Sequence, residues 1–172
     1  RLIIGLLVGG ALALAGAVMQ GVFSNPLADP GIMGVSAGAS LGAVIAIALG
    51  VTSLGMFYMP AFAFVGAFVS VGITILLTWR NNKLDTTTLL LAGVAVSMLL
   101  GAFTSGILTM INEYRLREFL FWMVGGLDFR RWDHVLLAVG PIMTGSVILM
   151  MLGRHLNVLV LGDTEARALG LP

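Results

Sequence analysis

The chain has 172 residues, of which 59% are hydrophobic and only 10% charged, and its mean hydropathy is +1.06. Globular chains average about a quarter charged residues, so this composition excludes a water-soluble domain and makes lipid the expected solvent. Nine basic residues against eight acidic ones leave a net charge of +1, too little to attract nucleic acid, and the lack of cysteine excludes disulfides, iron–sulfur ligation and thiol catalysis.

The first uncharged run is Leu2 to Met19. It has no basic segment ahead of a short apolar core and no clean cleavage site, which argues against a signal peptide. Gln20 to Gly31 reads as a loop, because Asn25-Pro26 and Asp29-Pro30-Gly31 are turn formers and each proline removes a backbone donor. Its mixture of Asn, Asp and two prolines points to a rigid, specifically shaped connection. Uncharged runs follow at Gly31 to Gly50, Gly55 to Trp79, Thr86 to Ile111 and Val135 to Gly153. At ~1.5 Å per residue these five runs reach roughly 27 to 39 Å, enough for a hydrocarbon core of about 30 Å. They are continuous rather than alternating, which excludes barrel strands. Five membrane-spanning helices are expected, and the fold class is an all-α polytopic transmembrane bundle.

Charges gather at Asp29, Arg80 to Asp85, Glu113 to Asp133 and Arg154 to Arg167, the expected loops and ends. Trp79, Trp122, Trp132, Tyr58 and Tyr114 fall at or near span ends, where amphipathic rings prefer the interface. Lys and Arg do not orient the chain: Arg1, Arg115, Arg117, Arg130 and Arg131 lie on one side, Arg80, Lys83, Arg154 and Arg167 on the other. Small residues recur every four positions, at Gly34, Gly38 and Gly42 and at Gly93, Ser97, Gly101 and Ser105. Such faces let helices approach to backbone contact in a medium that gives them no hydrophobic reason to associate. The tail from Leu159 to Pro172 reads as a short surface helix. Asp163 is placed to cap it, Glu165 sits early and Arg167 late, and Gly170 with Pro172 ends it. Ala166 and Leu169 share one face, suited to docking in a groove or to lying on the membrane.

The five runs carry no Asp, Glu, Lys or Arg, whereas proton- and sodium-coupled carriers generally keep an ionisable residue at membrane depth. Lys83 is the only lysine and no G-x-x-x-x-G-K-[ST] occurs, so the chain has no phosphate-cradling loop of its own. Gly34-Val35-Ser36-Ala37-Gly38 matches the nucleophile-elbow pattern and raises an intramembrane serine protease as an alternative. That pattern requires a preceding strand and a nearby histidine base, whereas His134 and His155 sit at opposite ends of the last run. The histidines form no ligand-spaced cluster with Asp or Glu, so no metal site is expected.

Ala11 to Ala39, A-L-A-L-A-G-A-V-M-Q-G-V-F-S-N-P-L-A-D-P-G-I-M-G-V-S-A-G-A, closely resembles the permease subunits of bacterial ABC importers for iron–siderophores, haem and cobalamin, the FecCD-type permeases. The likeness continues through Leu89 to Ser97, Trp122 to Leu127 with Trp132, and Leu156 to Gly170. It implies a fragment holding about half of a ten-span subunit, spans two to six, within one permease domain. It also implies a multi-pass protein of the bacterial inner membrane, with Arg1 and Glu113 to Asp133 periplasmic and the loops at Gln20 to Asp29 and Trp79 to Asp85 cytoplasmic.

By the same resemblance, Gly162, Asp163, Glu165, Ala166, Leu169 and Gly170 form a coupling helix that sits on the ATPase. Arg1 docks a substrate-binding protein, and Asn25 and Pro26 mark a cytoplasmic loop or gate. The implied partners are a second identical or homologous permease, cytoplasmic ATP-binding subunits, an extracytoplasmic binding protein and membrane lipid, without nucleic acid. No cofactor is expected in this chain, ATP being used by a partner, and no enzymatic activity. The expected cargo is a metal chelate, an iron–siderophore ahead of haem or cobalamin. A non-transporting membrane scaffold is the remaining alternative.

Overall fold

The computed structural model describes residues 1–79, 85–128 and 130–159. Among them are six α-helices and no strand: α1 Leu2–Val22, α2 Val35–Leu49, α3 Tyr58–Thr78, α4 Thr86–Met110, α5 Glu113–Val124 and α6 Trp132–Leu159. Four described segments are long and apolar enough to cross a membrane: Leu2–Val22, Tyr58–Thr78, Thr86–Met110 and Trp132–Gly153. The fold class is therefore all-α and polytopic, as expected.

The run from Gly31 to Gly50 differs from the expected single span. It is divided into a 3-10 turn, Pro30–Met33, and α2, which has only 15 residues. At ~1.5 Å per residue α2 is roughly 22 Å long, short of the ~30 Å hydrocarbon core. The division falls at Gly34, whose φ of +81° is left-handed and accessible to glycine at little cost. A second left-handed glycine, Gly50 (φ +73°), ends the helix. A further 3-10 turn, Val51–Leu54, leads on towards α3.

The segment Glu113 to Asp133, expected as a loop, contains the 12-residue α5. Its start is specified locally, because Asn112 Oδ1 accepts a hydrogen bond from the Arg115 backbone N–H at 3.0 Å and Glu113 lies in the first turn. Asp85 caps α4 in the same way, accepting from the Thr88 N–H and hydroxyl at 2.8 and 2.7 Å. The Thr88 hydroxyl, then its N–H, holds the Asp85 carboxyl below its ordinary range.

The chain divides into two units, Gly31–Gly125 and the remainder. In the first, α2 packs on α3 and α4, α3 packs on α4, and α5 meets α2. The α2–α3 contact is made by backbone. A methyl on Gly38 would overlap the Gly66 carbonyl oxygen, one on Gly66 the Gly38 oxygen, and one on Gly42 the Phe62 oxygen. Around this seam Ala43, Val44, Ala46 and Ile47 are fully buried. The Gly34/Gly38/Gly42 stripe thus serves packing, as its spacing predicts. The α4 stripe is used over only half its length: Gly93 lies against the Ile32 carbonyl, whereas Gly101 has open space around it. In the other unit α1 packs with α6, and a Cβ on Gly5 would sit 3.4 Å from Leu127 Cδ1.

In the full-length protein, Gly42→Ala is expected to lower stability by about 1–3 kcal/mol, because backbone must part to admit the methyl. Gly72→Ala, at an α3 position with nothing within 4 Å, is expected to melt no lower than wild type. Thermal unfolding of the two variants in the same detergent checks the difference.

Candidate functional site

Within the apolar Gly31–Gly125 unit, one connected set of buried polar groups is built where α2 begins. The 3-10 turn and the left-handed Gly34 interrupt the helical hydrogen-bond ladder, and although the Gly34 carbonyl accepts the Gly38 N–H at 2.9 Å, the carbonyls here keep lone pairs open to side-chain donors. Helix α3 supplies them. Ser70 Oγ donates to the Gly34 carbonyl at 2.8 Å and Thr74 Oγ1 to the Met33 carbonyl at 3.3 Å. Ser70, Thr74 and Thr78 follow one another at four-residue spacing and are each at most 3% exposed. Thr74 and Thr78 also bond back to the Ser70 and Thr74 carbonyls at 3.0 Å, so the hydroxyls form a continuous ladder along the buried face. On the other side of the turn, Gly93 of α4 contacts the Ile32 carbonyl, and Ser97 Oγ donates to the Gly93 carbonyl at 2.7 Å. No buried side-chain oxygen or nitrogen among the described residues lacks a partner. The break is therefore fixed in place by two helices, α3 and α4.

Ser36 lies in the first turn of α2 and is exposed. The nucleophile elbow is not formed: Ser36 follows a 3-10 turn rather than a strand, and the unit that carries it, Gly31–Gly125, contains no histidine. The G-x-S-x-G match reflects glycines needed for a left-handed turn at Gly34 and for close packing at Gly38.

The connection ahead of the break is shorter than the sequence indicated, because α1 runs on through Val22. Asn25 and Pro26 lie in the turn that follows. Asn25 Oδ1 accepts from the Leu27 N–H at 2.9 Å, its carbonyl accepts from the Ala28 N–H at 3.0 Å, and Ser24 takes a left-handed φ of 46°. The turn is held by its own polar groups, with Leu27 projecting at 87% exposure and Ala28 buried. It lies beside a cavity lined by Gly16, Gln20, Ala28, Asp29 and Pro30 among others.

Arg1 precedes α1 and pairs with Asp128 at 3.6 Å, both side chains exposed. Together with Arg130, Arg131, Trp132, Ile3 and Val135 it lines a shallow cavity of about 180 Å³. Arg1 and the Arg130–Arg131 pair, more than a hundred residues apart in sequence, thus share one basic surface. Gly162, Asp163, Glu165, Ala166, Leu169 and Gly170 lie outside the described residues. Among the described residues no group of three or more His, Asp or Glu is placed to hold a metal ion.

Sequence reasoning missed the Ser70–Thr74–Thr78 ladder and Arg115, whose guanidinium donates from Nη1 to the Ala48 carbonyl at 2.7 Å. The ladder had a signal: hydroxyls at i, i+4 and i+8 in an otherwise apolar span mark one face that meets polar backbone.

These features define a class: a multi-pass helical membrane protein whose short, interrupted helix is held by glycine contacts and hydroxyl–carbonyl bonds. The chain belongs to the FecCD transport family, whose model matches residues 1–172. It is 43% identical over 173 residues to the cobalamin import system permease protein BtuC of Halobacterium salinarum, covering 99% of this chain and 46% of that one. It is 41% identical over 170 residues to the vitamin B12 import system permease protein BtuC of Salmonella paratyphi A, covering 97% of this chain and 50% of the relative. The chain thus spans about half the length of these relatives. Its fold superposes with a TM-score of 0.88 and 31% identity on a solved structure described as an inward-facing conformation of a metal-chelate type ABC transporter, covering 99% of this chain and 54% of that one. Membership of this permease family and the four long apolar helices make the chain part of a multi-pass inner-membrane protein.

Ser70→Ala removes the side-chain donor from the Gly34 carbonyl, which keeps the Gly38 N–H, and is expected to cost about 1 kcal/mol. The loss is local, so hydrogen exchange at the amides of Val35 to Gly38 in the full-length protein should accelerate while α4 is unchanged.

Proposed function

We propose that the chain is part of the membrane-spanning permease of an ATP-driven importer that carries a metal chelate across the cytoplasmic membrane. The observation that carries this reading is the family match over the whole chain, joined to a fold shared with a metal-chelate type ABC transporter. The absence of Asp, Glu, Lys and Arg from the long apolar runs supports it, since energy then enters from a partner rather than from a coupling ion bound at membrane depth. The permease does no covalent chemistry in this account. Its translocation path forms against a second, identical or homologous permease, and ATP is consumed by cytoplasmic subunits.

Two relatives are named for cobalamin import, and this puts cobalamin, a cobalt chelate, ahead of the iron–siderophore expected from the sequence. Gly162, Asp163, Glu165, Ala166, Leu169 and Gly170 are proposed to form the helix that docks on the ATPase. Arg1 is proposed to meet a carboxylate of the substrate-binding protein, a contact suited to a guanidinium fork. Its present partner Asp128 is exposed, so the exchange of one carboxylate for another buries no unpaired charge. Asn25 and Pro26 are proposed to shape the cytoplasmic end of the path.

Co-purification of the full-length protein from membranes tests this reading, wild type against Glu165→Arg combined with Ala166→Asp. A nucleotide-binding subunit that accompanies the wild type and is lost from the variant is the expected result. A wild type that brings no such subunit overturns the importer reading in favour of a scaffold.

A further inference from the structure

Two side chains of very different chemistry tie helix α5 to α2. Phe119 is 2% exposed and packs with Val44 and Ile47 of α2, with Ile107, Leu108 and Ile111 around it. Trp122 stacks beside it at a ring separation of 5.9 Å. One turn before Phe119 on the same face of α5, the half-buried Arg115 reaches the end of α2 and donates from Nη1 to the Ala48 carbonyl at 2.7 Å.

The donor count at that helix end gives the contact its meaning. The last carbonyls of a helix have no intrahelical partner and carry the negative end of its dipole. The Gly50 N–H serves the carbonyls of Ala46 and Ile47, and the next carbonyl, Ala48, receives the guanidinium. Gly50 makes room for it, since a Cβ there would stand 3.0 Å from Nη2 of Arg115. The cation, the dipole and the missing side chain are therefore matched. Arg117, two positions on, is exposed and pairs only loosely with Glu113 at 3.9 Å.

We propose that Arg115 is a positioning residue that pins α5 to the C-terminal end of α2, so that the two helices move as one piece. An apolar contact such as Phe119 tolerates sliding, because dispersion and burial are non-directional. A charge-assisted hydrogen bond to one carbonyl does not, because it weakens steeply with distance and angle. The pin thus fixes the register of α5 on α2, and any displacement of the α2 end is carried into α5.

Hydrogen exchange on the full-length protein in lipid nanodiscs tests the pin without reference to cargo, so its outcome is independent of the importer reading. Arg115→Met keeps much of the aliphatic stem and removes the donors; Arg115→Lys keeps the charge with a compact head. In Arg115→Met the amides of Leu116 to Val124 should exchange about tenfold faster or more, with α3 and α4 unchanged, and Arg115→Lys should fall between it and wild type. Wild-type exchange of α5 in Arg115→Met overturns the proposal, leaving Phe119 as the attachment. A uniform acceleration across 31–125 overturns it equally, since Arg115 would then support the whole unit rather than the place of α5.

Discussion

Everything in the Gly31–Gly125 unit depends on backbone meeting backbone between α2 and α3. Lipid tails are as apolar as leucine side chains, so two apolar helices gain nothing from leaving lipid for one another. What they gain comes from close van der Waals contact, and at Gly38, Gly42 and Gly66 the absence of side chains lets carbonyl oxygens of one helix rest on the Cα atoms of the other. The contact is reciprocal, with the Gly38 oxygen on Gly66 and the Gly66 oxygen on Gly38. A methyl at either position has only main chain to push against, and main chain in two packed helices has little freedom to yield.

That seam makes the interrupted second helix tolerable. A helix of 15 residues leaves unpaired carbonyls at its C-terminal end, and the turn that precedes it carries others; each would be costly in hydrocarbon without a donor. At the start the carbonyls of Met33 and Gly34 take hydroxyl donors from Thr74 and Ser70, within reach because the glycines bring α3 close. At the far end the Ala48 carbonyl takes a guanidinium from α5. Carbonyls at both ends thus take side-chain donors from neighbouring helices. The same economy explains the burial of Ser70 and Thr74 at 0% exposure without loss, since each hydroxyl has an acceptor.

Much of this was legible in the sequence. Uncharged runs placed α1, α3, α4 and α6, and the four-residue glycine spacing identified the packing face of α2. The break was not legible, because Gly31 to Gly50 is apolar throughout and hydropathy does not register a left-handed glycine. The loss of helix shows only in Pro30 and in Gly31 and Gly34, residues that also occur inside membrane helices. Helix α5 was hidden for the opposite reason: Glu113, Arg115, Arg117 and Glu118 gave its stretch the look of a loop, although Asn112 as a cap and apolar Leu116, Phe119, Leu120 and Met123 carry the period of an amphipathic helix. The role of Arg115 could not be read at all, since its partner is a backbone carbonyl 67 positions away. The residues proposed to meet an ATPase rest on resemblance alone, and Arg1 is placed on a basic surface that no spacing between Arg1 and Arg130 would reveal.

The bundle is held by backbone contacts and satisfied carbonyls and has no charge in its long apolar runs, and the proposed importer draws its energy from a partner. The most direct test is uptake into proteoliposomes that hold the full-length permease with its ATPase, with the binding protein and labelled cobalamin or ferric siderophore outside and ATP enclosed. ATP-dependent accumulation of a metal chelate, cobalamin first, is the result this account predicts. An assembled complex that hydrolyses ATP yet accumulates no chelate of either kind would contradict it.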